Sequence, residues 1–148
     1  KEEFDKFLLE MSKLYPEGSF LSGYPMKSLM NAGVNVSSST DAPCGEEIKG
    51  NIMNIIEVAT TGVPPKTKFY SQYRKDELLS VKEALEALTI NGAKQLGISD
   101  KCGSIKVGKN ADFLFLDKNF LDYTKLEDLR TIHEASIESL YFEGKCVF

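Results

Sequence analysis

Apolar residues recur with a helical period in the first third of the chain and again near its middle. From Glu2 to Tyr15, Phe4, Phe7, Leu8, Met11 and Leu14 or Tyr15 share one face, which predicts an amphipathic helix with a charged outer side. Pro16 and Gly18 end it. Pro25 is a good first helical residue, Met26, Leu29 and Met30 form a stripe, and Gly33 suits a left-handed residue after the last turn. A short helix ending at Asn31 or Ala32 is therefore expected. Val34 to Ser38 reads as a strand following at once, so helix and strand form an αβ unit with Asp41 just past the strand's C-terminal end. Asn51 to Thr61 is predicted helical, with Ile52, Ile55, Ile56 and Ala59 on one face and Gly62 as the stop. Val63 to Asp76, with Pro64-Pro65, has no sustained period and is expected to be a loop.

Ser80 and Glu83 have the spacing of a capping box, in which hydroxyl and carboxylate each satisfy the other residue's backbone N–H. Ala84, Leu85, Leu88, Ala93 and Leu96 continue the buried stripe to Gly97, and Thr89 is read as the cap of a second helical segment, with a bend there. Gly103 to Asp112 is a tight-turn element in which Ile105 and Val107 are expected to anchor to the core and Asp112 to accept N–H bonds from the turn. Phe113 to Leu116 predicts a strand buried on both faces. Ile137 to Phe142 and Lys145 to Phe148 predict a hairpin around Glu143-Gly144, packed near that strand.

Composition narrows the function classes. At 148 residues, with 42% hydrophobic residues, the chain can bury a core of its own. A net charge of −4 with scattered lysines gives no footprint for nucleic acid. No apolar run approaches the ~20 residues that cross a bilayer, so no membrane partner is expected. Cys44, Cys102 and Cys146 fit neither a disulfide framework nor close metal spacing, which points to a reducing cytoplasm. The chain begins at Lys1, and a piece of a longer protein is the simpler reading.

The segment Ser80 to Asp117, SVKEALEALTINGAKQLGISDKCGSIKVGKNADFLFLD, together with VNVSSSTDAP at Val34 to Pro43, resembles the C-terminal portion of the metal-dependent amidohydrolase superfamily. There a helix of the form EAL-x-x-x-T-x-N-x-A leads into a G-x-I-x-x-G-x-x-A-D turn. Tyr24-Pro25-Met26-Lys27-Ser28-Leu29 and Leu140-Tyr141-Phe142-Glu143-Gly144-Lys145 make the likeness greatest to amidohydrolase family 3. The resemblance implies an α/β chain: a C-terminal fragment of a (β/α)8 barrel, with its last strand and helices, over residues 1–97, and strands of a composite β-sandwich domain over 98–148. A complete barrel needs roughly 250 residues.

It also implies a role for Asp41. In the family the matching Asp is a catalytic residue and a metal ligand. One oxygen holds a divalent metal, expected to be zinc, and the carboxyl carries a proton from water to the departing nitrogen. Local sequence alone favours a turn or helix cap for an Asp after S-S-T, and it is the resemblance that turns the reading toward a ligand. The family's other ligands, an H-x-H pair, a carboxylated Lys or a Glu, and two further His, have no match here, so no metal is expected in these 148 residues by themselves. His133 is read as a surface or interface imidazole. Cys44 reads as a small buried loop residue, with a thiol near a metal as the alternative.

Two functions remain. One is the C-terminal part of a metal-dependent hydrolase of non-peptide C–N bonds, amide or cyclic amide, inactive alone. The alternative is a non-catalytic assembly or binding module derived from that fold. Expected partners are a small-molecule substrate, a missing N-terminal part of the same protein, and further copies in a homo-oligomer.

Overall fold

Asn51 turns the chain into its best-defined helix: its side chain accepts the backbone N–H of Met53 at 2.9 Å, and Gly62, at φ 69°, closes the other end in the left-handed conformation. In the computed structural model, which describes residues 6, 24–40, 51–63, 65–66 and 75–148, this helix is preceded by α1 (Met26–Asn31) and is itself α2 (Ile52–Thr61). There follow α3 (Val81–Leu88), α4 (Ile90–Gln95), β1 (Phe113–Leu116), α5 (Leu126–Leu129), β2 (Ile137–Phe142) and β3 (Lys145–Cys146). Single 3-10 turns occupy Lys75–Glu77 and Ile132–Glu134. The helix predicted over Glu2 to Tyr15 lies outside the described residues apart from Lys6, which is helical, and most of the loop predicted after Val63 lies outside them too.

The core forms where α2 and α3 meet the segment after β1. Met53 and Ile56 pack with Leu79, Val81, Ala84, Phe120, Ile132 and Ala135, and Met26 and Met30 of α1 close one side. Leu79 donates its N–H to the Ala59 carbonyl at 2.9 Å, which ties α2 to the start of α3. The capping box is present, with Ser80 N–H donating to Glu83 Oε2 at 2.9 Å and Glu83 N–H to Ser80 Oγ at 3.3 Å.

One antiparallel sheet has the order β1-β2-β3. Phe113 pairs with Tyr141 and Leu116 with Ile137, across a register shift between Phe115 and Leu116. The Phe113 and Tyr141 rings stack at 4.8 Å. Glu143 (φ 48°) and Gly144 (φ 78°) form the two-residue turn of the hairpin. Its second strand is shorter than expected, but Val147 N–H still reaches the Leu140 carbonyl at 2.8 Å.

Four expectations need correction. Val34 to Ser38 is not a strand, because among the described residues no other strand lies beside it, and its hydrogen bonds go to helices instead. Strand β1 is not buried on both faces, since Phe115 is 53% exposed and only one face meets the core. Ile105 and Val107 do not anchor: they stand 85% and 107% exposed, on the outside of the turn. Thr89 does bend the helix, at φ −122° and ψ −92°, but it does not cap α4; its hydroxyl donates backwards to the Leu85 carbonyl at 2.6 Å. Asp112 accepts an N–H as expected, although from Glu143 of the hairpin turn at 2.7 Å, so it joins two turns.

Candidate active site

The segment 34–40 leads directly to Asp41, and the chain fixes it from two sides. Glu77, almost fully buried in its 3-10 turn, accepts the Ser28 N–H at 2.9 Å and the Ser28 hydroxyl, thereby satisfying a free donor of the first turn of α1. Lys27 pairs with Glu83. Burial alone would raise the Glu83 carboxyl; the hydrogen bonds from Lys27 and from the Ser80 N–H and hydroxyl outweigh it and hold the group below its usual range. These contacts dock α1 on the start of α3 and so set where the chain leaves Gly33, whose φ of 81° turns it back.

On the other side stand α3 and α4. Ser38 N–H donates to the Ala87 carbonyl at 3.1 Å, Asn91 Nδ2 to the Val36 carbonyl at 3.0 Å, and Asn35 Nδ2 to the Asn91 carbonyl at 3.0 Å. Ser37 bonds to the Gln95 side chain. Sequence reasoning marked Asn91 only as part of a motif, and missed Glu77 altogether. An acidic residue just before a capping box was the available signal.

Asp41 and Cys44 both lie outside the described residues. His133 is described, and it is not a surface imidazole: its side chain is 15% exposed, and both its Nδ1 and its backbone N–H face Glu57 Oε2, at 2.6 and 3.0 Å. Glu57 sits fully buried on α2, with Oε1 lacking a partner among the described residues. A glutamate beside the helical stripe of Ile52, Ile55, Ile56 and Ala59 was the sequence signal for a buried partner.

Between the bend of α3–α4, the turn at Gly103 to Ile105, and the sheet runs an apolar groove of ≈ 820 Å³, lined among others by Leu85, Phe113, Phe115, Leu140 and Phe142. No helix among the described residues is long and apolar enough to cross a membrane.

The sequence model of the Amidohydrolase family matches residues 4–148. This chain belongs to the amidohydrolase family. It is similar to the N-substituted formamide deformylase of Arthrobacter pascens, 33% identical over 121 residues, which are 82% of this chain and 20% of that protein. It is also similar to the imidazolonepropionase of Bdellovibrio bacteriovorus, 28% identical over 148 residues, all of this chain and 30% of that one. The fold is similar to part of an amidohydrolase from Thermotoga maritima MSB8, with a TM-score of 0.58, 23% identity, and coverage of 84% of this chain and 26% of that one. The chain thus spans between a fifth and a third of the length of these relatives. Amidohydrolases are generally metal-dependent. Among the described residues, however, no group of three or more His, Cys, Asp or Glu could hold a metal ion, so they do not by themselves make the metal centre of this family.

Proposed function

We propose that residues 1–148 are the C-terminal part of a hydrolase acting on amide or cyclic amide C–N bonds of small molecules, with residues 1–97 belonging to its barrel and 98–148 to its sandwich domain. The observation that carries this is the family match over 4–148, which includes the Asp41 segment and both downstream motifs. Support also comes from the relatives' names, a deformylase of N-substituted formamides and imidazolonepropionases. Asp41 is the catalytic carboxylate and a ligand of the metal, read as zinc, whose other ligands come from elsewhere in the complete protein. The metal supplies Lewis acidity. Asp41 accepts a proton from the attacking water and returns it to the departing nitrogen, which would otherwise leave as a strongly basic amide anion.

In the same reading the open edges of the β1-β2-β3 sheet are covered by strands of the remaining protein and by a second copy, and the site of action is the cytoplasm. Residues 1–148 alone are inactive. The test is hydrolysis of a panel of N-substituted formamides and cyclic amides by the complete enzyme supplied with zinc. Asp41→Asn, which keeps size and shape, lowers turnover by roughly two to four orders of magnitude. A variant as fast as its parent would overturn the assignment.

A further inference from the structure

Helix α4 is too short to hold its own place. Its six residues make fewer than two turns, no side chain caps it, and it starts from a break at Thr89, whose φ of −122° and ψ of −92° send its N–H to the Glu86 carbonyl at 3.3 Å. What packs on it therefore sets its position.

Residues three or four apart share a helix face, and α4 turns two such faces to two different partners. Ile90 and Ala93 meet Gly103: a Cβ on that glycine would come within 3.0 Å of Ile90 Cα, 2.6 Å of Ala93 Cβ and 3.2 Å of the Thr89 carbonyl oxygen. Asn91 and Gln95 take the segment 35–38. Asn91 Nδ2 donates to the Val36 carbonyl at 3.0 Å, the Asn91 backbone carbonyl accepts from Asn35 Nδ2 at 3.0 Å, and Gln95 bonds to the Ser37 hydroxyl. Just before the break, the carbonyl of fully buried Ala87, which in a continuous helix would accept the N–H of residue 91, accepts Ser38 N–H at 3.1 Å instead.

The turn behind Gly103 is itself locked. Lys109 reaches back across it and donates from Nζ to the Cys102 carbonyl at 3.2 Å and to the Ser104 hydroxyl at 2.7 Å, the two residues that flank the glycine. Asn110 N–H closes the loop on the Lys101 carbonyl at 2.8 Å. Pinning both neighbours holds Gly103 at φ 81° and keeps its backbone against α4. The segment on the other face has weaker means: the Asn35 and Ser37 bonds lie at the surface, where such bonds open at little cost.

We propose that residues 35–38 form a releasable strap on α4, and that the turn at 102–109, locked by Lys109, is the backstop that keeps it fastened. When the turn slackens, α4 draws back toward it and the bonds of Asn91 and Gln95 lengthen together. Ser38 then loses its hold on Ala87.

Lys109→Met tests the device, since it keeps an aliphatic stem and removes the donors to Cys102 and Ser104. Amide exchange followed by NMR in the 148-residue chain reads the turn at Asn110, the strap at Ser38, and an independent region in α2. Exchange at Asn110 and Ser38 accelerates about fivefold or more, while amides of α2 stay within a factor of about two of their wild-type rates. Ser104→Ala, which removes one of the two acceptors, shifts Asn110 and Ser38 in the same direction by less, and serves if the first variant does not fold. Asn91→Ala cuts the strap directly and accelerates Ser38 by a similar factor. Ser38 unchanged by Lys109→Met, whatever Asn110 does, makes Lys109 a lock of its own turn alone and overturns the backstop. Acceleration of α2 in parallel with Ser38 also overturns it, because a general loss of stability then explains the result. Ser38 unprotected in the wild type, or indifferent to Asn91→Ala, overturns the strap.

Discussion

The Nδ1 of His133 lies 2.6 Å from Oε2 of Glu57, a carboxylate fully buried on α2, and the backbone N–H of the same histidine reaches the same oxygen at 3.0 Å. The pair joins the segment between α5 and β2 to the central helix across 76 residues of sequence. Among the described residues it leaves Glu57 Oε1 without a partner, so there the carboxylate depends on a single neighbour for its compensation.

His133→Ala is accordingly expected to destabilise the chain by about 3 kcal/mol, because it strips a buried carboxylate of one of two bonds. Glu57→Gln, which keeps an acceptor for the His133 N–H and removes the charge, costs about 1 kcal/mol. Urea unfolding of the two variants beside the wild type checks the order; a Gln variant weaker than the Ala variant would contradict it.

Glu83 gives the pH dependence. Its folded-state carboxyl is held below the usual carboxylate range, so the stabilisation from Lys27 and Ser80 is fully present above that range and is lost as pH falls through the lower, folded-state value. Thermal unfolding of the wild type and of Glu83→Gln should therefore differ most at neutral pH, and the gap should narrow as pH falls below the usual carboxylate range. A gap that widens on acidification would reverse the sign.

Two glycines of the G-x-I-x-x-G element separate space from backbone conformation. Gly103 and Gly108 have φ of 81° and 89°, yet an added Cβ meets Ala93 at 2.6 Å in the first and nothing within 4 Å in the second. Gly108→Ala should cost about 1 kcal/mol from the backbone alone, and Gly103→Ala about 2 kcal/mol more, from overlap with the α3–α4 bend. Equal melting temperatures for the two variants would show that the bend yields easily.

Apolar side chains on the sheet, among them Phe115, Phe142, Val147 and Phe148, are more than half exposed beside open strand edges. Sedimentation velocity of the 148-residue chain at tens of micromolar should show concentration-dependent association, reduced by Phe142→Lys. A monomer under those conditions would argue against completion of the sheet by a second copy.

Helices α1, α2 and α3, the bend at Thr89 and the hairpin at Glu143-Gly144 were legible in the sequence because each is specified locally, by a cap, a period or a turn. What the sequence did not reveal is decided by distant partners. Val34 to Ser38 carries a strand's pattern, yet the backbone groups of Val36 and Ser38 are taken by Asn91 and Ala87, more than 45 positions away. Ile105 and Val107 have the composition of anchors, but both stand exposed. His133 looked like a surface residue until α2 supplied a carboxylate from 76 positions upstream. Family resemblance rather than periodicity marked Asp41, since an Asp after a Ser/Thr run carries no chemistry by itself.

The bonds between residues 35–38 and the α3–α4 bend also bear on the order in which the molecule assembles. Their partners are separated by 55 to 58 residues for the three side-chain contacts, so each must wait for a long loop to close. The capped helix α3 and the hairpin need only near neighbours. The chain leading into Asp41 is therefore expected to acquire its native form late, after the helices that receive it. A protein halted partway would have most of its helix content and an unformed segment 35–38, so ellipticity would recover on refolding before Ser38 became protected from exchange.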